Sequence, residues 1–264
     1  MTITCIKNAR WVVAWDAAAA QHYFRNDIDV VFDGDKLIYI DAGYAGPADR
    51  LIDGAGVCVM PGMVNVHTHL QSESLGRGLI EELGNPALYM TGILDEKSVF
   101  VTSGLTEQAG GAVAQLKANK ASTENAIAEL LKSGCTTVTD LAVAWDGWLD
   151  TMANAGIRAI AAPMYRDAKW IVPTGHRLDY DWDLAKGRRD FATALEAVDA
   201  ATHHPSGRLS AMIAPMQVDT CSPELLRDSL AEARKRGLKM TVHCSQHIPE
   251  FQEMVRRHGV TPVQ

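Results

Sequence analysis

The stretch PGMVNVHTHL, residues 61–70, sets two histidines one residue apart at the end of a short apolar run opened by Pro61 and Gly62. Extended backbone alternates its side chains between two faces, so His67 and His69 project to the same side, about 6.5–7 Å apart along the chain. That separation suits chelation of one metal ion by two neutral imidazoles, with room for an open coordination position. The same pattern also suits two partly buried histidines satisfied by backbone carbonyls, so the surrounding sequence has to decide between them.

Working outward, the segment 1–60 is rich in short β-like pieces (ARWVVAW, DIDVVFDG, KLIYIDAG, GVCVMPG) separated by Gly, Asp and Asn turn signals, and reads as a small β-rich domain. From residue 61 to 264 the grammar changes. The apolar, β-branched runs MVNVHTH, CTTVTDL, IRAIAAP, LSAMIAP and LKMTVHC alternate with helical stretches. In STENAIAELLKSG, Ser122 or Thr123 is the expected N-cap and Gly134 the stop. In SPELLRDSLAEARKRG, Ser222 caps, Pro223 takes the first helical position, acidic residues come early, basic ones late, and Gly237 ends the helix. PEFQEMVRRHG reads as one more helix. Strand and helix in alternation, with strands apolar on both faces, is the pattern of parallel βα units.

An eight-stranded barrel needs about 250 residues, whereas about 200 follow Pro61. The expectation is therefore either a smaller open sheet or a barrel with five of its units present. Two long connections, residues 71–121 with the Gly-rich SGLTEQAGGAV and residues 163–185 with Trp170, Tyr180 and Trp182, read as loops over an active-site mouth.

Composition narrows the function. A net charge of -7 and a hydrophobic content of 47% argue against nucleic acid and anionic membrane surfaces as partners and for a small-molecule substrate. With no signal-like N-terminus and no apolar run of spanning length, the expected compartment is the cytoplasm. Five scattered cysteines without a CxxC spacing suit reduced thiols. His243, in LKMTVHCSQ, ends another apolar run, which is where barrel enzymes gather their chemistry.

The run LIDGAGVCVMPGMVNVHTHL resembles the signature of the amidohydrolase superfamily, in which a β-rich piece passes through a D-G-x-G turn into a first barrel strand carrying H-x-H. AELLKSGCTTVTDL, GIRAIAAP, APMQVDTCSPELL and MTVHCSQ resemble that family's strands two to five in order, and the likeness is to its deaminase and s-triazine hydrolase branch. The resemblance implies an α/β fold, a (β/α)8 TIM-type barrel incomplete in this chain, with a small N-terminal β-sandwich piece. It also implies His67, His69 and His243 as ligands of one divalent metal ion, zinc or iron, because strand four carries no lysine of the kind that bridges two metals. Such an ion brings the pKa of bound water toward neutrality and yields a hydroxide that attacks an electron-poor ring carbon. The implied activity is hydrolytic deamination of a purine, pterin or triazine-like heterocycle, with a homodimer as the assembly expected by analogy. Dechlorination or dealkylamination of a triazine-like ring is the alternative, and a catalytically inactive fragment is another.

Three departures from the family pattern bear on this. Its remaining ligands, a histidine of strand six and an aspartate of strand eight, have no counterpart; Asp140 closes strand two, and Asp219 lies in a loop where it would contact substrate or cap a helix. Where the branch reads H-x-x-E, this chain has His243 and Gln246. An amide has no proton to exchange near neutral pH, so the catalytic part open to Gln246 is orienting substrate or water. Glu250, one turn further, reads as a surface carboxylate before it reads as a replacement acid. The branch also places a histidine after the strand-four proline, where this chain has Met216, a pocket-lining residue type. Gln217 and Gln71 are the expected contacts to the edge of a heterocycle.

Overall fold

The short β-branched runs of the first 62 residues become strands held in two sheets. The structure, a computed structural model, describes residues 2–72, 111–171 and 178–264, and the chain divides into the units Met1–Gly62 and Met63–Gln264. In the first unit, β5 (Lys36–Asp41), β4 (Ile28–Asp33), β1 (Ile3–Ala9) and β6 (Arg50–Asp53) lie side by side in that order. A second sheet has the order β3 (Gln21–Arg25), β2 (Trp11–Asp16), β7 (Cys58–Val59). Ala9, Val12, Ala14, Ile28 and Val30, drawn from both sheets, form one apolar cluster. The buried Asp29 carboxylate accepts from Lys7 Nζ at 2.6 Å and from the amides of Asn8 and Tyr44 at 2.8 Å. It thereby satisfies the backbone at a register shift in β1, where Asn8 is left-handed with φ 53°.

The second unit is built on parallel strands. β8 (Met63–Thr68), β9 (Cys135–Ala142), β10 (Arg158–Tyr165) and β13 (Leu209–Ala211) pair in chain order, and β14 (Ala214–Pro215) continues alongside β10. The fifth apolar run joins through two parallel bridges, Ile213 to Met240 and Gln217 to His243. The fourth run is split because its amides turn alternately to both neighbours: Met212 N donates to Ala161 O and Ile213 N to Lys239 O, both within 3.0 Å. This is a mixed α/β fold with a parallel sheet, as the alternation of runs requires. Side-chain alternation accounts for burial on both faces. Val138, Ala159, Ala161 and Tyr165 pack with helix residues Ile127, Trp148, Met152 and Leu225 on one side, while Leu141, Ala162, Met164 and Ala214 cluster on the other.

The helices that lie wholly within the described residues are α1 (Gly111–Lys132), α2 (Trp148–Asn154), α3 (Leu184–Thr202), α4 (Pro223–Arg236) and α5 (Ile248–His258). α4 follows its sequence signals: Ser222 Oγ accepts from Leu225 N, Pro223 opens the helix, and Gly237 closes it at φ 65°. α1 does not. It begins well before Ser122 and Thr123, which sit inside it, because the preceding AQLKANKA is itself made mostly of good helix formers. Ser122 Oγ instead donates to Leu70 O at 3.3 Å, tying the helix to the chain leaving β8. Residues 73–110 of the first long connection lie outside the described residues. The second connection is a hairpin rather than an open loop, with β11 (Ala168–Ile171) antiparallel to β12 (Asp179–Trp182). No helix among the described residues is long and apolar enough to cross a membrane.

Asp167, at the foot of that hairpin, receives the amide of Ser222 at 2.8 Å and so anchors the start of α4. A methyl group on Gly187 would lie 1.9 Å from Asp167 Oδ1. Gly187→Ala should therefore destabilise the protein by about 1–3 kcal/mol, the usual cost of overpacking. Urea denaturation checks this, and an unchanged midpoint would show that Asp167 yields freely.

Candidate metal centre

The site starts where β8 ends. Its pairing with β9 shifts register between Asn65 and Thr68, and the chain then leaves the sheet. Asp140, fully buried near the end of β9, receives Leu70 N at 2.9 Å on one oxygen and Trp148 Nε1 at 2.7 Å on the other. The backbone just past His69 is thus held by a charge-assisted bond to the neighbouring strand. Asp140 is a brace for the histidine segment.

His67, His69 and His243 converge. Their ring centroids are 5.1 Å (67 to 69), 4.9 Å (67 to 243) and 5.2 Å (69 to 243) apart, and their nearest ligating atoms all lie within 4.8 Å of one another. His69 Nδ1 lies 2.7 Å from Leu141 O, and His243 Nδ1 lies 2.5 Å from Met216 O. A carbonyl oxygen can only accept, so Nδ1 carries the proton in both rings and each Nε2 presents a lone pair. Those two nitrogens face each other at 3.2 Å. Bridging them with a proton would require an imidazolium, which the surroundings oppose. Burial, helped by the other two histidines, pushes His69 down to about 4, and burial likewise lowers His243. Two half-buried lone pairs at this distance, with a third imidazole beside them, fit a cation. The donor set of three nitrogens is one that zinc and iron accept, and carbonyl-bound Nδ1 atoms are the usual outer support of histidine ligands.

The glutamines fall in two places. Gln217 Nε2 donates to Gln246 Oε1 at 2.5 Å. Gln217 bridges to His243 through the backbone and is 4% exposed, not the exposed loop residue that a glutamine there suggests by default. Its Oε1 is enclosed without a partner among the described residues. Gln71 is half-buried just past His69, and its Oε1 is also enclosed and unpartnered.

Glu250 overturns its surface reading: it is fully buried. Ser245 is left-handed at φ 59°, and the amides of Ser245 and Gln246 donate to Glu250 Oε1 and Oε2 at 2.7 and 2.6 Å. His247 caps α5 by accepting from Glu250 N at 3.0 Å. Burial raises the Glu250 pKa, and the two amides pull against that rise. Asp219 likewise does not cap α4, a task left to Ser222. Its Oδ2 accepts from Trp170 Nε1 and Tyr180 OH, both at 2.8 Å, which latches the β11–β12 hairpin to the loop after β14. Arg257 of α5 donates to Asp219 O at 2.7 Å and lies over the rings of Tyr180 at 4.4 Å and Trp182 at 4.7 Å. Met216 packs against the Leu141 cluster. Sequence reading noted the hairpin aromatics but missed Arg257 and the latch, which joins residues 39 and 49 positions apart.

The model of the family described as "Amidohydrolase family" matches residues 58–263. This chain belongs to the amidohydrolase family. Among amidohydrolase relatives, a 5'-deoxyadenosine deaminase of Methanosarcina acetivorans is 28% identical over 256 residues, covering 96% of this chain and 51% of that protein. A 5-methylthioadenosine/S-adenosylhomocysteine deaminase 2 of Archaeoglobus fulgidus is 26% identical over 243 residues, 90% of this chain and 50% of that one. An atrazine chlorohydrolase of Arthrobacter aurescens, solved in complex with zinc, superposes with a TM-score of 0.70 at 20% identity over 98% of this chain and 56% of its own. At that identity the likeness speaks for the fold alone. The amidohydrolase chain spans about half the length of the curated relatives it matches.

Replacing Asp140 with Asn leaves an acceptor for Leu70 N but turns an amide N–H toward Trp148 Nε1. Asp140→Asn should cost about 1–3 kcal/mol of stability, the range for an unsatisfied buried donor. Combining it with Trp148→Phe measures the coupling; strictly additive losses in chemical denaturation would show that the two side chains do not act together.

Proposed function

We propose that this protein is a metal-dependent hydrolase that deaminates a nitrogen heterocycle, with His67, His69 and His243 holding one divalent ion, zinc or iron. The observation that carries the reading is the pair of deprotonated Nε2 atoms of His69 and His243 at 3.2 Å, each ring locked in that tautomer by a backbone carbonyl. When bound, the ion supplies Lewis acidity and makes a nucleophile of water at neutral pH. The chain's own contribution is to hold three imidazoles on a common point and to line it with amide rather than carboxylate side chains. The deaminase names of the curated relatives support a purine-like ring as substrate, with pterins and triazines as the neighbouring choices.

In this reading the five parallel pieces are the first five units of a (β/α)8 barrel spanning residues 61–264, and residues 1–60 form the β-sandwich piece that precedes it. The match of 98% of this chain to 56% of the zinc-complexed chlorohydrolase supports it. Gln71, Gln217 and Gln246 face the substrate. A second reading is favoured by one observation: Gln246 occupies the place of an acid, and Glu250 is bonded to backbone instead of standing in for it. Loss of chloride from a triazine-like ring asks less proton assistance than loss of ammonia, whereas an alkylamine asks about as much.

The full-length protein should bind about one Zn²⁺ or Fe²⁺ per chain by elemental analysis, and the double substitution His67→Ala with His69→Ala should abolish binding. Unchanged stoichiometry in that variant would refute the assignment. Ammonia release from a panel of purines, pterins and triazines decides between the two reactions, since chloride or alkylamine release without ammonia selects the second.

A further inference from the structure

Gln217 and Gln246 form an amide couple whose remaining hydrogen-bonding capacity is defined. Gln217 Nε2 donates to Gln246 Oε1, which leaves the Gln217 carbonyl oxygen without a partner and the Gln246 Nε2 amide free of any bond to Gln217. In this orientation the free carbonyl belongs to Gln217; turning both amides together would exchange the roles and still leave one carbonyl and one N–H on offer. One carbonyl and one N–H are consumed in the bond, so the couple always offers a carbonyl on one partner beside an N–H on the other.

Its place is as defined as its chemistry. Gln217 is the bridge partner of His243 and directly follows Met216, whose carbonyl holds the His243 ring. Gln246 lies three residues beyond His243, and its backbone is fixed by Glu250. A carbonyl oxygen left unpaired inside the protein has lost its water without gaining a partner, a standing cost that an arriving N–H removes. Gln217 is 96% enclosed by its 4% exposure, so this orphan is built into the fold rather than hanging from a surface loop.

We infer that the Gln217–Gln246 couple is the specificity determinant of the histidine site, and that it selects rings presenting an N–H donor and an acceptor on adjacent atoms, the edge of a lactam or an amidine. This deepens the reading of the site as a heterocycle hydrolase and rests on it. The ring N–H of a lactam, or the amino N–H of an amidine, bonds the Gln217 oxygen while the neighbouring carbonyl or ring nitrogen accepts from Gln246. A ring alkylated on that nitrogen places a methyl group against the buried carbonyl and is rejected, because a site built around a polar group discriminates strongly against an analogue that leaves it unpaired. The couple therefore does by recognition what an acid at position 246 cannot do here by proton transfer.

The test uses the full-length, zinc-loaded protein and two unreactive probes, hypoxanthine, which has the lactam edge, and 1-methylhypoxanthine, which lacks its donor. Isothermal titration calorimetry should show wild type preferring hypoxanthine by roughly tenfold or more. Gln217→Met and Gln246→Met should each bring the ratio to within about twofold with zinc stoichiometry unchanged. Because Gln246 is exposed, its variant decides the matter even where Gln217→Met fails to fold by circular dichroism. A preference that survives in either folded variant overturns the assignment, as does a wild type that binds both probes equally or neither. Zinc content measured on the same samples keeps the two failures apart: a site that holds zinc without discriminating loses the amide couple alone, whereas a site without zinc loses the hydrolase reading as well.

Discussion

Everything at the candidate centre depends on two hydrogen bonds from imidazole to backbone. His69 leaves the end of β8 and bonds the carbonyl of Leu141 on β9; His243, on the fifth run, bonds the carbonyl of Met216 just past β14. Each ring is therefore oriented by the strand next to its own, and only a parallel sheet in correct register sets both carbonyls at the height of both rings. A slip of one residue would turn the opposite face of the strand toward the rings and remove the acceptors. The tautomer, the facing lone pairs and the fit to a cation all follow from that register.

The buried carboxylates around the centre serve loops. Asp140 holds the chain after His69, Glu250 holds the turn after His243, and Asp219 holds the aromatic hairpin; each receives at least two N–H or O–H donors. Buried carboxylates are tolerated where donors bond them in this way. The consequence is a rigid frame on either side of the histidines, with side chains reaching across from residues distant in sequence. Arg257 extends the same frame by joining α5 to the hairpin rings and to the Asp219 carbonyl.

Those distances explain how much of the molecule could be read beforehand. Strand alternation is local, so the common face of His67 and His69 and the parallel arrangement of the apolar runs were legible, as were the caps of α4. The start of α1 was not, because Ser122 and Thr123 carry a cap signature while both lie buried inside the helix, Ser122 bonding the chain that leaves β8. Glu250 was misread for a similar reason: a carboxylate on the first turn of a polar helix is usually solvated, and only the left-handed Ser245, an uncommon conformation for serine, swings two amides toward it. The latch between Asp219 and the hairpin pairs residues 39 and 49 positions apart and leaves no periodic trace in the chain.

The buried glutamate also bears on where a proton could come from. Its position one turn after Gln246 invites the idea that the family's acid has merely moved along the chain. The geometry argues otherwise, since both oxygens are engaged by the amides of Ser245 and Gln246, and swinging the carboxylate toward the histidines would strand two backbone donors. Hydrogen bonds to a charged group contribute about 1.5–3 kcal/mol each, so giving up two of them outweighs a single hydrogen bond to a bound ring. Glu250 therefore stays with the backbone. Under the proposed hydrolysis, the proton for a departing group would then come from elsewhere than Glu250, and the proposal gives the amide pair beside His243 the part of recognition.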